Sequence, residues 1–531
     1  MSEAAAATLP ASAAYTPPAV NPWIIALTVT LATFMEVLDT SIANVSLPHI
    51  AGGLAASVDE STWILTSYLV SNAIVLPMSG WVSSMIGRKR FYMSCVALFT
   101  ISSFLCGLAP NLGMLIFFRV LQGMGGGGLQ PSEQSILADT FPPKKLGMAF
   151  AMYGMAVVVA PAIGPTLGGF ITDNYSWRWI FYINVPIGVI SLLLTSRLIT
   201  DPPHLSGERE KGKKFNIDYI GLGLLALGLG ALQVVLDKGQ RLDWFESHFI
   251  LILTVISMAA LVTAVFWEWR HENPVIDLRL FRDRSFAIGN TMMFMLGFIL
   301  LATTLLLPLF SQTMLGYTAR EAGLSLMPGG LVILTCMPLV GFLLSKVDPR
   351  WLMAFGMGML SFALFHMTRF DLYIDFKTVA MARVFQGMGL AFLFVPINTV
   401  AYAYLPRNKN NAASGLINLA RNVGGSMGIS FVTTMLARRT QFHQSSLSAH
   451  LNPANPRVAA MLHGTTSSLR ASSGGTALHQ AYALLASTID RQATMLSYID
   501  NFRILGIAAL FLLPCVFVVK RPRKGGEVHV H

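Results

Sequence analysis

Residues 118–125, FRVLQGMG, place an arginine inside an otherwise apolar segment. Nearly the same eight residues recur at 382–389 as ARVFQGMG, and each copy is followed by a proline and then by a short turn that contains Pro with Lys or Arg. This shared order of features indicates that the chain is duplicated and that each half buries one arginine, Arg119 or Arg383. Because a charge inside an apolar segment is costly, both positions are functional candidates.

The composition is that of a polytopic membrane protein. Of the 531 residues, 54% are hydrophobic and 12% are charged, whereas soluble domains carry about 25% charged residues. The formal net charge is +11, but the basic residues are scattered over short loops, which argues against nucleic-acid binding. The four cysteines lie in apolar segments and are interpreted as packing residues; we find no motif for a metal, a cofactor, a phosphate loop or an enzyme.

Apolar runs of about twenty residues are long enough to cross a bilayer, and the sequence predicts about fourteen of them. Loops rich in Lys and Arg predict that both termini are cytoplasmic. The segments that we expect are a disordered tail at 1–21, a six-helix bundle at 22–200, a loop with two inserted transmembrane helices at 201–285, a second six-helix bundle at 286–519 that includes a long outward-facing loop at 437–498, and a tail at 520–531.

The first predicted span carries two acids, Glu36 and Asp39, which lie on one face of a helix. Asp39 and Arg119 lie at matching depth, roughly 10–12 Å from the outer ends of their spans at about 1.5 Å per residue. A pair between them is therefore geometrically possible. A carboxylate that alternately forms and loses an ion pair with an arginine can carry a proton. The alternative is a fixed ion pair that only joins two helices. Glu36, one turn deeper, is a second candidate for proton coupling.

The second half does not copy these acids, because residues 285–320 contain no Asp or Glu. We therefore expect any proton chemistry to be confined to the first half. Arg421, deep in the thirteenth predicted span, either faces a cavity and meets Glu36 or an anionic substrate, or bonds to carbonyls as a packing residue. Glu133 lies near the cytoplasmic end of its span and is expected to be solvated.

Residues 160–169, APAIGPTLGG, put two prolines and three glycines into one helix. Prolines remove a backbone hydrogen bond and kink a helix, while glycines let a neighbouring helix approach closely. The pattern predicts a bend packed tightly on a partner helix, and the alternative is an ordinary packing seam. The residues of this predicted hinge are Pro161, Gly164, Pro165, Gly168 and Gly169.

Methionine and aromatic side chains are frequent in the apolar segments and would suit a promiscuous binding cavity, because they are soft and adaptable. Most residues of this kind are nevertheless expected to be core or lipid-facing. The candidates for a substrate cavity are Phe34, Met35, Met155, Phe294, Phe298 and Arg421.

Four stretches carry a family resemblance: 38–48 (LDTSIANVSLP), 119–123 (RVLQG), 164–169 (GPTLGG) and 177–188 (WRWIFYINVPIG). Together they resemble the major facilitator superfamily, in its fourteen-span drug:proton antiporter branch of the EmrB/QacA type. In that branch the arginine of the second stretch is associated with proton transfer. One departure is Ser84, which stands where the superfamily's loop motif usually has an aspartate.

The resemblance implies an all-α fold of two six-helix bundles plus two extra transmembrane helices. It implies a multi-pass protein of the bacterial inner membrane that exports hydrophobic small-molecule drugs in exchange for protons. Its implied partners are a periplasmic adaptor (EmrA-like) and an outer-membrane channel (TolC-like), and we infer that the long outward loop docks the adaptor. Two alternatives stay open: a dedicated exporter of one metabolite (a siderophore, fatty acid or antibiotic), and a transport-inactive membrane scaffold.

Overall fold

A computed structural model describes the chain as a bundle of long helices. It describes residues 20–200, 218–271, 274–403, 405, 409–449, 451, 456–473 and 476–519. Nearly all of the predicted N-terminal tail, the whole of the C-terminal tail and most of the loop before the inserted helices lie outside these residues. Within them, all regular secondary structure is helical.

The long helices follow the predicted order of one half, an inserted pair, and a second half. The first half comprises α1 (Pro22–Gly53), α2 (Trp63–Ile86), α3 (Arg88–Leu108), α4 (Leu112–Thr140), α5 (Pro143–Asn174) and α6 (Trp179–Leu198). The inserted pair is α7 (Tyr219–Lys238) and α8 (His248–Arg270). The second half comprises α9 (Arg284–Thr313), α10 (Ala319–Leu343), α11 (Pro349–Met367), α12 (Phe376–Tyr402), α13 (Asn410–Ala449) and α14 (Ala477–Phe511).

The described residues contain fewer candidate spans than the fourteen that the sequence predicts. Among the described residues, 11 helices are long and apolar enough to cross a membrane, and up to 12 if the two arms of the bent α5 count as one span. Helices α11 and α13 occupy the two remaining predicted positions but do not meet that test. The total of about fourteen spans therefore stays a prediction.

The segment at 437–498, expected from the sequence to be an outward-facing loop, is mostly helical in its described residues, which corrects the expectation of a loop. Helix α13 continues to Ala449 and α14 begins already at Ala477, with a further helix, Pro456–Ser473, between them. Hydropathy falls in this segment, but no proline or glycine interrupts either long helix there. The helices therefore continue as polar helix where the apolar run stops.

The two extended helices are joined by an ionic cluster. Asp500 of α14 accepts hydrogen bonds from Arg439 (Nε to Oδ2, 2.6 Å) and pairs with His443 (2.8 Å), both on α13. These contacts fix α13 against α14 beyond the last apolar turns of α13.

The repeated motif produces the same packing in both halves. A side chain at Gly123 of α4 would collide with Tyr68 of α2, and one at Gly387 of α12 would collide with Gly329 of α10. The glycines thus let each pair of backbones touch, as small residues do in membrane helix pairs. This close approach brings the arginine of each copy into the interior of its own half.

The halves meet along two helix pairs, α5 with α10 and α2 with α13. Many polar contacts between them lie at one end of the bundle, which we call the basic end because it carries Arg88 and Lys409. There Ser135 lies 2.8 Å from Ser414 (Oγ to Oγ), and Asn410 Nδ2 donates to Asp139 Oδ1 at 2.9 Å. The two halves are therefore held together at the basic end.

The loop motif at 80–90 forms an ion pair despite its serine. Arg88, the first residue of α3, pairs with Asp139 at the end of α4, and the same carboxylate accepts the Asn410 bond across the halves. Ser84 Oγ donates to the Trp81 carbonyl at 2.6 Å. The charge interaction at this loop thus runs through Asp139, which sequence inspection did not identify.

Candidate functional site

Asp39 of α1 and Arg119 of α4 form an ion pair in the interior of the first half. Arg119 Nη1 donates to Asp39 Oδ2 at 2.6 Å. The two residues are 2% and 0% exposed, respectively. Removing two charges from solvent is costly, and only close pairing with further hydrogen bonds offsets that cost. The pair that matching depth made possible is thus present in the structure.

Neutral side chains complete the surroundings of the pair. Gln122 and Asn184 both donate to Asp39 Oδ1, at 3.0 and 2.7 Å. The Arg119 guanidinium lies 4.3 Å from the centre of the Tyr68 ring, a cation–π geometry. Sequence inspection had assigned no role to Gln122 or Asn184, although both lie in stretches that carry the family resemblance.

Glu36 lies in a different environment, because neutral donors surround it. Its Oε1 accepts bonds from the Tyr68 hydroxyl (3.0 Å) and Asn72 Nδ2 (3.3 Å), and its Oε2 accepts from Gln130 Nε2 at 2.5 Å. Glu36 is 4% exposed. Among the described residues no lysine or arginine contacts this carboxylate, so protonation of Glu36 would break no ion pair.

Arg421 connects this acid to the second half through Gln130. The Gln130 Oε1 atom accepts a hydrogen bond from Arg421 Nη2 and another from the Tyr153 hydroxyl at 3.2 Å. Arg421 Nη1 also donates to the Tyr153 oxygen at 2.9 Å. Arg421 therefore neither contacts Glu36 directly nor bonds only to carbonyls; it reaches Glu36 through one glutamine.

The same network continues toward the basic end. The Tyr153 hydroxyl also lies 3.0 Å from Asn418 Oδ1, to which its single proton can be donated instead, and Asn418 Nδ2 donates to Gln134 Oε1 at 2.8 Å. Gln134 also accepts the Tyr402 hydroxyl at 3.1 Å. Polar contacts between the two halves thus extend from Gln130 to Ser135 at the basic end.

The prediction that Glu133 is solvated is wrong. Its side chain is 0% exposed, and its Oε1 accepts the Thr30 hydroxyl at 2.6 Å. Helix α4 continues to Thr140, so Glu133 lies seven residues, or about 10 Å, inside the basic end of the helix. It faces α1 within the bundle, a feature that distance along the sequence does not show.

Helix α5 bends at the predicted hinge. Its two arms, Lys145–Pro161 and Ile163–Asn174, meet at 44°. The hydroxyl of Ser41, on α1, donates to the Pro161 carbonyl at 3.2 Å. A proline at residue 165 leaves this carbonyl without its usual amide donor four residues on, so the serine supplies the missing donor.

Two of the three hinge glycines contact α1. A side chain at Gly164 would collide with Ser41, and one at Gly168 would come within 3.2 Å of Ile42. No atom lies within 4 Å of the position that a side chain at Gly169 would take. Gly164 and Gly168 thus form the seam with α1, and the hinge role of the whole set stays a prediction.

The six candidate cavity residues are not gathered on one surface. Met35 is 0% exposed in the apolar core, and Phe298 packs on Phe431 of α13 with ring centres 5.7 Å apart. Phe294 lines a cavity of about 560 Å³ between the inserted helices and the second half, whereas Arg421 belongs to the central network. Phe34 and Met155 are partly buried against the apolar core.

The fold and sequence match known transporters. The family model described as Major Facilitator Superfamily matches residues 29–429. A solved structure of the proton:xylose symporter XylE has the same fold, with a TM-score of 0.58 and 15% identity over 94% of this chain and 96% of that one. The chain therefore belongs to the major facilitator superfamily and is a multi-pass membrane transporter with an all-helical fold.

Within that superfamily the chain falls in the group of EmrB, EmrY and FarB. It is 38% identical to the multidrug export protein EmrB of Escherichia coli strain K12, over 95% of this chain and 96% of that protein. It is also 38% identical to the fatty acid resistance protein FarB of Neisseria gonorrhoeae, over 96% and 98% of the two chains.

Proposed function

We propose that this transporter exports hydrophobic toxic compounds in exchange for protons, with Asp39 as the proton carrier and Arg119 as its exchangeable partner. The observation that carries the proposal is the buried pair at 2.6 Å. The neighbouring Glu36 network reaches Arg421 of the opposite half. Relatives of about 38% identity that are named multidrug export proteins support the substrate class.

The proposed cycle alternates access to a central site by rocking the two halves. In the outward-facing form the halves stay joined at the basic end, and Asp39 takes up a proton from outside. Protonation removes the negative charge that holds Arg119, so the pair loosens. The carrier then turns inward, releases the proton and restores the pair. Glu36 is the second candidate carrier, connected to the second half through Gln130.

The membrane potential is sufficient to drive such an exchange. An inward proton gains about 2.3 kcal/mol per 100 mV. Since about 1.4 kcal/mol corresponds to a tenfold ratio, one proton supports an outward gradient of roughly fiftyfold for a neutral substrate. No nucleotide hydrolysis is required by this mechanism.

We place the transporter in the bacterial inner membrane with both termini in the cytoplasm, which makes the basic end the cytoplasmic end. In this orientation α13 and α14 extend into the periplasm together with the helix Pro456–Ser473. That helical extension is our candidate docking element for a periplasmic adaptor of the EmrA type, which would connect to an outer-membrane channel of the TolC type.

A dedicated exporter of one metabolite is the second candidate function, and the similarity to FarB favours a fatty acid as that metabolite. Both candidates use the same proton site. They differ in substrate range, so a panel of chemically unrelated hydrophobic compounds together with fatty acids separates them.

The test is substrate-induced proton movement in vesicles reconstituted with the full chain. We expect several unrelated hydrophobic compounds to collapse a preset pH gradient with wild-type protein, and Asp39→Asn to abolish this response. The control is Asp243→Asn, an exposed residue in the left-handed conformation that asparagine tolerates.

An equal response in wild type and Asp39→Asn would place the proton site elsewhere, with Glu36 next. A response to fatty acids alone would favour the dedicated exporter. No response to any compound, with membrane assembly intact, would favour the transport-inactive scaffold.

A further inference from the structure

The inserted helices line an open cavity outside the central network. It has a volume of about 560 Å³ and lies between α7, α8, α9 and α13. That volume is in the range of small-molecule sites. Its wall is mostly aliphatic, with leucines from three helices, for example Leu225, Leu261 and Leu419. Phe294, expected from the sequence to face a substrate, lines this cavity as well.

Two buried polar side chains line the same cavity with unused acceptor atoms. Glu268 of α8 is 1% exposed, and Asn290 of α9 is 8% exposed. Within the part of the chain that the structure describes, neither Glu268 Oε1 nor Asn290 Oδ1 has a hydrogen-bond partner. Buried acceptors left without a donor are costly, so the corner of the cavity at Glu268 and its wall at Asn290 are complementary to a ligand that brings donors.

A second carboxylate makes that corner negative. Asp218 and Glu268 converge on Gly221, and a side chain there would lie 2.5 Å from both Oδ2 and Oε1. Trp267 donates to Asp218, and the His271 ring lies 3.7 Å from it. Among the described residues, no lysine or arginine forms an ion pair with either carboxylate. The two carboxylates therefore favour a cationic ligand in this corner.

The position of this corner suits the head of an amphiphile. Glu268 lies two residues, or about 3 Å, from the end of α8 at the basic end. The leucines of the cavity extend from it toward the membrane interior along α7 and α8. A ligand with its head at Glu268 would thus place an aliphatic tail parallel to the inserted helices.

We propose that this cavity binds an amphiphile with a primary ammonium head and an aliphatic tail. The ammonium group donates to Glu268 and Asn290, and the tail packs on the leucines. Two sources offer this chemistry: a single-chain alkylamine, and the ethanolamine headgroup of a membrane phospholipid. The proposal does not depend on the export function, because it concerns binding alone.

Photolabelling of the purified full chain in lipid nanodiscs tests the proposal. The probe is a twelve-carbon primary alkylamine with a diazirine in mid-chain, and the nanodiscs contain phosphatidylcholine and phosphatidylglycerol. We expect label on the cavity leucines of α7 and α8. Because the amide that replaces the carboxylate has no negative charge to attract the ammonium, Glu268→Gln should reduce this label about tenfold. The matched control Glu246→Gln, exposed at the opposite end of the inserted pair, should leave it unchanged.

Asn290→Asp is a variant that is expected to change the labelling in the opposite direction. A carboxylate added to the wall of the same cavity should increase labelling, which a misfolded protein cannot do. Equal labelling of wild type, Glu268→Gln and Asn290→Asp would overturn the proposal. So would label spread evenly over lipid-facing residues of α8 such as Met258, which is 64% exposed.

Competition distinguishes the two sources. Dodecylamine should displace the probe, whereas dodecanoate, which has the opposite charge, should not. If phosphatidylethanolamine in the nanodiscs abolishes the label, the lipid headgroup is the resident ligand. If the label persists there and only dodecylamine removes it, the site selects a single-chain amine. Displacement by dodecanoate as effective as that by dodecylamine would overturn the assignment of an ammonium site.

Discussion

The two halves of this transporter hold the same arginine–glutamine pair in different chemical settings. In the first half, Gln122 and Arg119 both donate to Asp39. In the second half, Arg383 Nη1 donates to Gln386 at 2.7 Å, and Gln386 Nε2 donates to Thr303 at 2.5 Å. Thr303 thus occupies the place of Asp39, and among the described residues no carboxylate pairs with Arg383.

This difference separates what the repeated motif contributes to helix packing from what it contributes to proton chemistry. Both copies of the motif form the same close helix contacts, so the repeat is explained by packing. Only the first copy meets a carboxylate, a group that can take up and release a proton. A threonine hydroxyl cannot, and an arginine stays protonated in proteins. The second-half arginine therefore has no acid partner among the described residues, while in the first half the proposed function gives its arginine an exchangeable partner.

Removing each arginine in turn should give the largest difference between the two halves. Arg119→Leu leaves the Asp39 carboxyl buried without its cation, which we expect to destabilise the protein by about 3–5 kcal/mol and to abolish substrate-induced proton release. Arg383→Leu leaves only a glutamine without its partner, so it should cost about 1–3 kcal/mol and retain proton release. Unfolding in detergent and vesicle assays measure the two effects. Equal loss of proton release in both variants would contradict the asymmetry.

Converting Thr303 to an acid should make the second half resemble the first. A buried pair contributes little net stability, so Thr303→Asp should lie within about 1 kcal/mol of wild type. The double variant Thr303→Asp with Arg383→Leu should lose about 3–5 kcal/mol, because its new carboxylate has no cation. Denaturation midpoints of the four proteins of this cycle measure the coupling. If the single variant is as unstable as the double, Arg383 does not reach residue 303.

The connection between the halves predicts an intermediate effect. Arg421→Met removes a charged donor from Gln130 and from Tyr153, which we expect to lower drug-dependent proton exchange about tenfold. The matched control is Arg90→Met, an exposed arginine at the start of α3. Initial rates in reconstituted vesicles measure the change. Unchanged rates in Arg421→Met would show that the cross-half network is not required for exchange.

The smallest effect concerns the repeated glutamine. Gln122→Leu removes one of two neutral donors to Asp39 Oδ1 and should cost about 1–2 kcal/mol. Gln386→Leu removes the pair with Thr303 and also the acceptor of the buried Arg383 guanidinium, so it should cost more than Gln122→Leu. Thermal unfolding of both variants in the same detergent measures the difference. A larger loss for Gln122→Leu would reverse the comparison.

The amino-acid sequence by itself determined the class of this protein. Apolar runs, a repeated arginine motif and charge-poor spans require a membrane bundle, because hydrocarbon tolerates only internally bonded backbone. The Asp39–Arg119 pair was also predictable, since two costly charges at equal depth gain by meeting. The bend of α5 at its prolines follows from local backbone chemistry in the same way.

Only the tertiary structure decided which neutral side chains meet. Gln130, Tyr153 and Arg421 lie on three different helices and carry no spacing signal, so their network could not be derived from the sequence. The burial of Glu133 depends on which face of α4 turns inward, and the contacts of Arg439 and His443 with Asp500 depend on how α13 packs against α14. Local sequence patterns specify where helices form and which side chains are costly to bury. The contacts between helices that are distant in sequence depend on how those helices pack.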